Sequence, residues 1–344
     1  MLVPLPDHQD DVPWPTTDWT DNEPPPGVDQ SRLSALVETT FCEPQPLATS
    51  VTNAILVVHR GRIVEERYAT GVRADDLQPS WSMAKSILHA VVGTLVRQGR
   101  VEVDRVATVP EWQGGADPRA AITLDALLHM TSGLRFCEDY IDDQVSDAIK
   151  MLFRPGDDDM GAFAALFPLD HTPDTAFNYS SGTSNIISAI VKRAVDDQED
   201  YAAFLRRELF DRIGMTSAAP KFDQSGTWIA SSFCFCTPRD FARFGLLYLR
   251  DGMWDGERIL PAGWVDYGRT PAPVQPSDGE SGYGAHWWLL GDDLGTFFAS
   301  GYLGQYIFLV PELDLIIVRN GNTPAERRPA VLDLVRQIIE LFRV

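Results

Sequence analysis

The chain has 344 residues, 44% of them hydrophobic and 23% charged, which suits one large globular domain or two lobes sharing an interface. A formal charge of −20 argues against a nucleic-acid partner, because phosphate binding needs the opposite sign. No Lys or Arg precedes Arg32 and no apolar stretch reaches spanning length, so the expectation is a cytoplasmic protein without membrane contact.

Residues 1 to about 28 are rich in Pro, Asp and Trp and read as an irregular arm, laid across the body by Trp14 and Trp19. With a short helix from Ser31 to Phe41 this makes an N-terminal unit, 1–50, packed on a main domain, 51–344. Ala54 to Val58 and Ile63 to Tyr68 predict a hairpin across His59, Arg60, Gly61 and Arg62. A strongly apolar helix opens at Ser82 and ends near Gly99, and a shorter one spans Thr123 to Met130. From Leu134 to Thr175 the chain reads as an acidic loop region that includes Glu138, Asp139, Asp142, Asp143, Asp157, Asp158 and Asp159. Helices resume at Ser184 to Val195, Tyr201 to Arg212 and Pro238 to Leu249. Strands are expected at Ala285 to Leu290, Thr296 to Ser300, Tyr306 to Val310 and Leu315 to Arg319, then a closing amphipathic helix over 325–342. Strands at both ends and helices between them predict an α+β fold: an antiparallel sheet completed by both termini, with flanking helices and an inserted helical lobe. Residues 51–81 and about 250–344 would form the α/β lobe, and about 82–249 the helical one.

The chemistry is carried by Ser82, Met83, Ala84 and Lys85 at the mouth of the apolar helix. Residues three apart share a helix face, so the Ser82 hydroxyl and the Lys85 amine can meet. A buried ammonium either finds close partners or gives up its proton, and a lysine so perturbed can serve as base for a neighbouring hydroxyl. Only four lysines (Lys85, Lys150, Lys192, Lys221) stand among 29 Lys plus Arg, and unlike arginine they can deprotonate. His129 and His286 offer a Ser-His-Asp alternative, but no G-x-S-x-G elbow accompanies them, and H-E-x-x-H and P-loop patterns are absent too. Four cysteines (Cys42, Cys137, Cys234, Cys236) are expected to be reduced, Cys234 and Cys236 as buried small hydrophobes. No metal site and no cofactor is expected.

Five segments in order resemble one superfamily: Trp81 to Ser86, Ile122 to Leu134, Phe177 to Gly182, Thr237 to Gly245 and Gly301 to Gln305. The chain resembles the serine β-lactamase and penicillin-binding superfamily, its class C-like branch, and is most similar there to 6-aminohexanoate-dimer (nylon-oligomer) hydrolases and related esterases. The resemblance implies a β-lactamase/transpeptidase-like fold. It implies Ser82 as nucleophile, Lys85 and Tyr179 as its proton-handling partners with either as the base, and the backbone N–H groups of Ser82 and Tyr302 as an oxyanion hole. It further implies substrate contacts from Tyr140, Ser181, Ser300 and Gly301. Two positions depart from the pattern: the Lys-Thr-Gly triplet becomes Ala299, Ser300, Gly301, and Tyr-x-Asn becomes Tyr179, Ser180, Ser181. The triplet has thereby lost its cation, which makes efficient β-lactam turnover or D-Ala-D-Ala processing doubtful. The expectation is a monomeric or homodimeric serine hydrolase that cleaves a small ester or amide through an acyl-enzyme. The alternatives are a weak β-lactamase or D-aminopeptidase, or a ligand-sensing domain that keeps the pocket without turnover.

Overall fold

The β-branched runs near the two ends of the chain meet in one sheet. The computed structural model describes residues 2–21, 24, 26–42, 51–153, 158–195, 200–277 and 281–343. In chain order the elements begin with α1 (Gln30–Cys42), β1 (Val51–His59), β2 (Arg62–Tyr68), α2 (Met83–Arg97), α3 (Leu124–Leu128) and α4 (Asp147–Phe153). They continue with α5 (Met160–Ala165), α6 (Ser181–Ala194), α7 (Tyr201–Leu205), β3 (Ala219–Pro220), β4 (Cys234–Phe235), α8 (Pro238–Leu249), β5 (Met253–Trp254) and β6 (Glu257–Arg258). The last third holds α9 (Trp264–Arg269), β7 (Gly282–Tyr283), β8 (Trp288–Leu289), β9 (Phe297–Gly301), β10 (Gln305–Val310), β11 (Leu315–Asn322) and α10 (Arg328–Leu341).

The main sheet has seven strands in the order β2-β1-β11-β10-β9-β8-β7, every pair antiparallel. Its central strands alternate between two cores, as the two-residue period of a strand requires. Leu56, Val58, Ile307, Leu309, Ile316 and Val318 face α2 and α8. Ile55, Val57, Phe308, Val310 and Ile317 face α1 and α10, meeting Leu33, Val37, Val335 and Ile338. Both faces are therefore dry. Gly245 lets α8 lie close to the sheet, since a Cβ there would stand 2.9 Å from Leu309 and 3.1 Å from Ile316. So α8 belongs to the layer against the sheet, although its place in the chain lies within the mainly helical stretch. Among the described residues no helix is long and apolar enough to cross a membrane.

The structure shifts several expected boundaries, each for a local reason. The acidic stretch is not all loop: α4 and α5 form inside it, with Ser146 Oγ accepting from Ile149 N (3.0 Å) and Asp159 capping α5 through Ala162 N (2.9 Å). Asp157 lies outside the described residues, as does the side chain of Cys42. The helix expected from Tyr201 to Arg212 changes winding, passing from α7 into one π-helical stretch at Arg206–Phe210 and a 3-10 turn at Asp211–Ile213. The strand expected from Ala285 to Leu290 shrinks to β8, because His286 takes a φ of 58° in the turn after β7. Helix α6 starts three residues earlier than expected, where Ser180 Oγ accepts from Thr183 N (3.0 Å). The α2 helix ends as expected, with Gly99 at φ 68° donating to Val96 O.

The arm is held by side chains of the body. Trp19 is buried and donates through Nε1 to Arg239 O, while Trp14 stacks on His8 and packs on Trp254. Arg243 donates to Pro15 O and Thr17 O. Arg250, at the end of α8, reaches Pro6 O and His8 and makes a two-pronged pair with Asp314, at 2.7 and 2.9 Å. Its side chain is 1% exposed and that of Asp314 11%, so removing one partner leaves a charge in a dry place. Arg250→Ala should lower unfolding free energy by about 3–5 kcal/mol, measured by urea denaturation, and Arg250→Lys should recover part of that loss.

Candidate active site

Ser82 is the residue from which α2 starts, and its hydroxyl faces the first turn of a helix whose residues from Met83 to Leu95 are all buried. Lys85, one turn on, is 1% exposed. Its Nζ donates to Ser82 Oγ (3.1 Å), Ser181 Oγ (3.1 Å) and the Ser231 carbonyl (2.9 Å). These acceptors come from three separate segments, so the amine draws α2, the start of α6 and the chain before β4 together. Burial pulls the Lys85 pKa down to about 8, and the Glu138 carboxylate opposes that fall.

Tyr179 lies just before α6, its residue half-buried, with its ring 4.8 Å from Lys85 Nζ. The ring thus stands beside the amine that holds Ser82 Oγ. Burial raises the phenol above its usual value and Glu138 adds to the rise, while the Ser82 hydroxyl and the Arg328 charge pull the other way. Tyr283 and Trp288 wall the ring on its outer side. The Ser82, Lys85 and Tyr179 side chains therefore lie side by side.

The end of β9 completes the cluster. A Cβ on Gly301 would lie 2.3 Å from Ser80 O, so only a glycine allows the strand to press against the segment that carries Ser82. Tyr302 follows, its ring edge-on to Trp81 at 5.6 Å between centroids. The Gly301 carbonyl is held by Gly304 N–H, which fixes the peptide that carries the Tyr302 N–H. The start of a helix and this pinned peptide are the kind of preorganised donors that suit a developing oxyanion.

Tyr140 and Ser181 are also present, but in tighter company than a simple substrate contact. Tyr140 stacks on Tyr302 (5.1 Å between centroids) and donates its hydroxyl to Glu138 Oε1 (2.7 Å). Ser181 donates to the same carboxylate through Oγ (2.5 Å) and through its backbone N–H (2.8 Å). Glu138 is thus bound to its neighbours, and Asp142 caps the following turn through Gln144 N and Val145 N. Nothing in the run of acidic residues distinguishes Glu138 from Asp139 or Asp142; only its separation of two from Tyr140 offered a signal.

Ser300 is buried, and its triplet carries no cation of its own. Arg328, the first residue of α10, donates to Ser300 Oγ (3.3 Å) and Tyr306 Oη (3.2 Å). A guanidinium from another element thus stands beside this triplet, a neighbour with no local sequence signature.

The histidine alternative is not built. His286 is buried, its Nδ1 on Leu128 O (2.8 Å) and its Nε2 on Ser184 Oγ (3.0 Å), and burial depresses it to about 3. His129 is tied to Asp125. Cys234 and Cys236 are buried with sulfurs 3.7 Å apart, in hydrogen-bond contact and not joined by a disulfide. Among the described residues no group of three or more His, Cys, Asp or Glu side chains could hold a metal ion.

A family model described as Beta-lactamase matches residues 48–339. The chain is 28% identical over 310 residues to a 6-aminohexanoate-dimer hydrolase of Paenarthrobacter ureafaciens, covering 85% of this chain and 78% of that one. Among solved structures it is similar to a Bacillus anthracis protein provisionally described as a 6-aminohexanoate-dimer hydrolase, with TM-score 0.76 and 20% identity over 99% of this chain and 90% of the other. It is also similar to a family VIII carboxylesterase, with TM-score 0.70 and 14% identity over 93% of this chain and 99% of that one. The family match spans every segment that builds the cluster around Lys85, from Trp81 to Arg328, and the chain belongs to the Beta-lactamase family.

Proposed function

We propose that the protein is a serine hydrolase that cleaves a small ester or amide through an acyl-enzyme on Ser82. The observation that carries this reading is the Lys85 Nζ hydrogen bond to Ser82 Oγ, with the Tyr179 ring 4.8 Å from the same nitrogen. With Lys85 at about 8 and Tyr179 pushed above its usual value, the amine is the group that can be neutral near pH 7, in roughly one molecule in ten. Lys85 is then the base that takes the Ser82 proton, and Tyr179, which keeps its own, is the acid that protonates the leaving group. The backbone N–H groups of Ser82 and Tyr302 receive the carbonyl oxygen as it gains charge, and Tyr140, Ser300 and Gly301 line the substrate's path.

The relatives support the substrate class: one is a 6-aminohexanoate-dimer hydrolase, an amidase by name, and one fold neighbour is a carboxylesterase. A second reading, turnover of β-lactams or D-amino-acid amides, is favoured by Arg328 standing where its guanidinium reaches Ser300.

Incubation with p-nitrophenyl acetate should give a burst of nitrophenol and a mass increment on Ser82, and Ser82→Ala should show neither. Tyr179→Phe should fold normally and lose roughly 10²–10⁴ in kcat; a near-normal rate would remove Tyr179 from the chemistry.

The pH dependence follows from the depressed lysine. Below about 8 Lys85 carries its proton, so the acylation rate should fall about tenfold for each pH unit lowered and level off above that value. Carbon-13 NMR of lysine-labelled protein should show one of the four lysines titrating near 8. An acylation rate that is flat from pH 6 to 9 would show that Lys85 is not the base.

A further inference from the structure

Counting hydrogens around Lys85 shows what its neighbours must do. An ammonium has three N–H groups, and Ser82 Oγ, Ser181 Oγ and the Ser231 carbonyl offer three acceptors. A neutral amine has two N–H groups and one lone pair, and as a base it is useful only if that lone pair meets the nucleophile. The Ser231 carbonyl can only accept, so it always takes one N–H. A serine hydroxyl can donate or accept, and Ser181 left to itself could turn its proton onto the lone pair and cap it.

Glu138 removes that freedom. Its carboxylate receives Ser181 O–H, Ser181 N–H and Tyr140 O–H and gives nothing back, the pattern of an ionised acceptor. It sits at the N-terminus of α6, a 14-residue helix whose dipole favours an anion there. With its proton drawn to Glu138 at 2.5 Å, Ser181 can only accept from Lys85. Both N–H groups of the neutral amine are then used, and the lone pair has one place left to point.

We propose that Glu138, acting through Ser181, aims the lone pair of neutral Lys85 at Ser82, so that Glu138 and Ser181 are positioning residues for the base. This rests on Lys85 being the group that deprotonates Ser82. In the acylation step the Ser82 O–H bond breaks as Oγ bonds to the substrate carbonyl carbon. The proton passes to Nζ, and the carbonyl π pair moves onto its oxygen. The amine becomes an ammonium whose three N–H groups face the same three oxygens as at rest. The other titratable groups near Lys85 leave its lone pair uncapped: Tyr179 presents its ring to Nζ at 4.8 Å, and His286 has its two ring nitrogens on Ser184 Oγ and Leu128 O.

The test is the pre-steady-state rate of nitrophenol release from p-nitrophenyl acetate between pH 5 and 10, in wild type, Glu138→Gln, Ser181→Ala and the double variant. Glu138→Gln should lower the alkaline plateau roughly tenfold or more, with KM nearly unchanged, because the carboxamide can donate to Ser181 and release its proton toward Lys85. Adding Glu138→Gln to Ser181→Ala should lower the plateau no further, since no hydroxyl remains to turn. Loss of the negative charge should also move the acid limb to lower pH in both backgrounds, which separates charge from aim. Glu138→Ala, which cannot donate, repeats the test if the glutamine variant folds poorly. A preserved plateau in Glu138→Gln with only a shifted limb would overturn the proposal, as would an equal plateau loss with and without the Ser181 hydroxyl. Lys85→Ala decides separately whether lysine is the base: full activity there removes the underlying reading, whereas a dead Lys85→Ala beside an intact Glu138→Gln plateau removes the aiming role alone.

Discussion

The site is organised by the cost of keeping one amine out of water. Lys85 stands in the most apolar helix of the chain, and a buried ion loses several kcal/mol of hydration. Hydrogen bonds from a charged donor return about 1.5–3 kcal/mol each, and Lys85 has three. The balance is close, so the amine sits near the point where it can be charged or neutral. That balance requires all three acceptors, and each comes from a different stretch of chain. The start of α2, the start of α6 and the segment before β4 are thus tied together at one nitrogen atom.

Around that nitrogen the charges are sorted by side. Glu138 approaches from the loop before α4 and is fastened to Ser181 and Tyr140. Arg328 approaches from the start of α10 and is fastened to Ser300 and Tyr306. The two act in opposite directions on Tyr179, which lies between their fields. An anion on one side and a cation on the other give the surroundings of Tyr179 a fixed polarity.

Much of this could be read from the chain. The strands β1, β2, β10 and β11 announced themselves through β-branched and aromatic residues and β9 through Phe297 and Phe298, while α2 did so through a run apolar on nearly every side and α10 through its amphipathic pattern. The Ser82–Lys85 contact was legible in their three-residue spacing on one helix, whereas Tyr179 was expected only through the resemblance of Phe177 to Gly182 to a family segment. What stayed hidden were partners fixed by tertiary packing. The Ser231 carbonyl has no side-chain signature at all. Arg328 reaches Ser300 from a different element, and Glu138 looks like its acidic neighbours until the fold brings Ser181 to it. Likewise α4, α5 and the π-helical stretch after α7 are too short for periodicity to outweigh local capping.

The contact between β9 and the nucleophile's segment has its own implication. With a Cβ position on Gly301 lying 2.3 Å from Ser80 O, two backbones touch with no side chain between them. Such a joint leaves no slack for tuning: a single added methyl group would wedge the strand away from Ser82. Any retuning of which molecules enter must therefore fall to surrounding side chains such as Tyr302 and Trp288, around a centre whose spacing is locked.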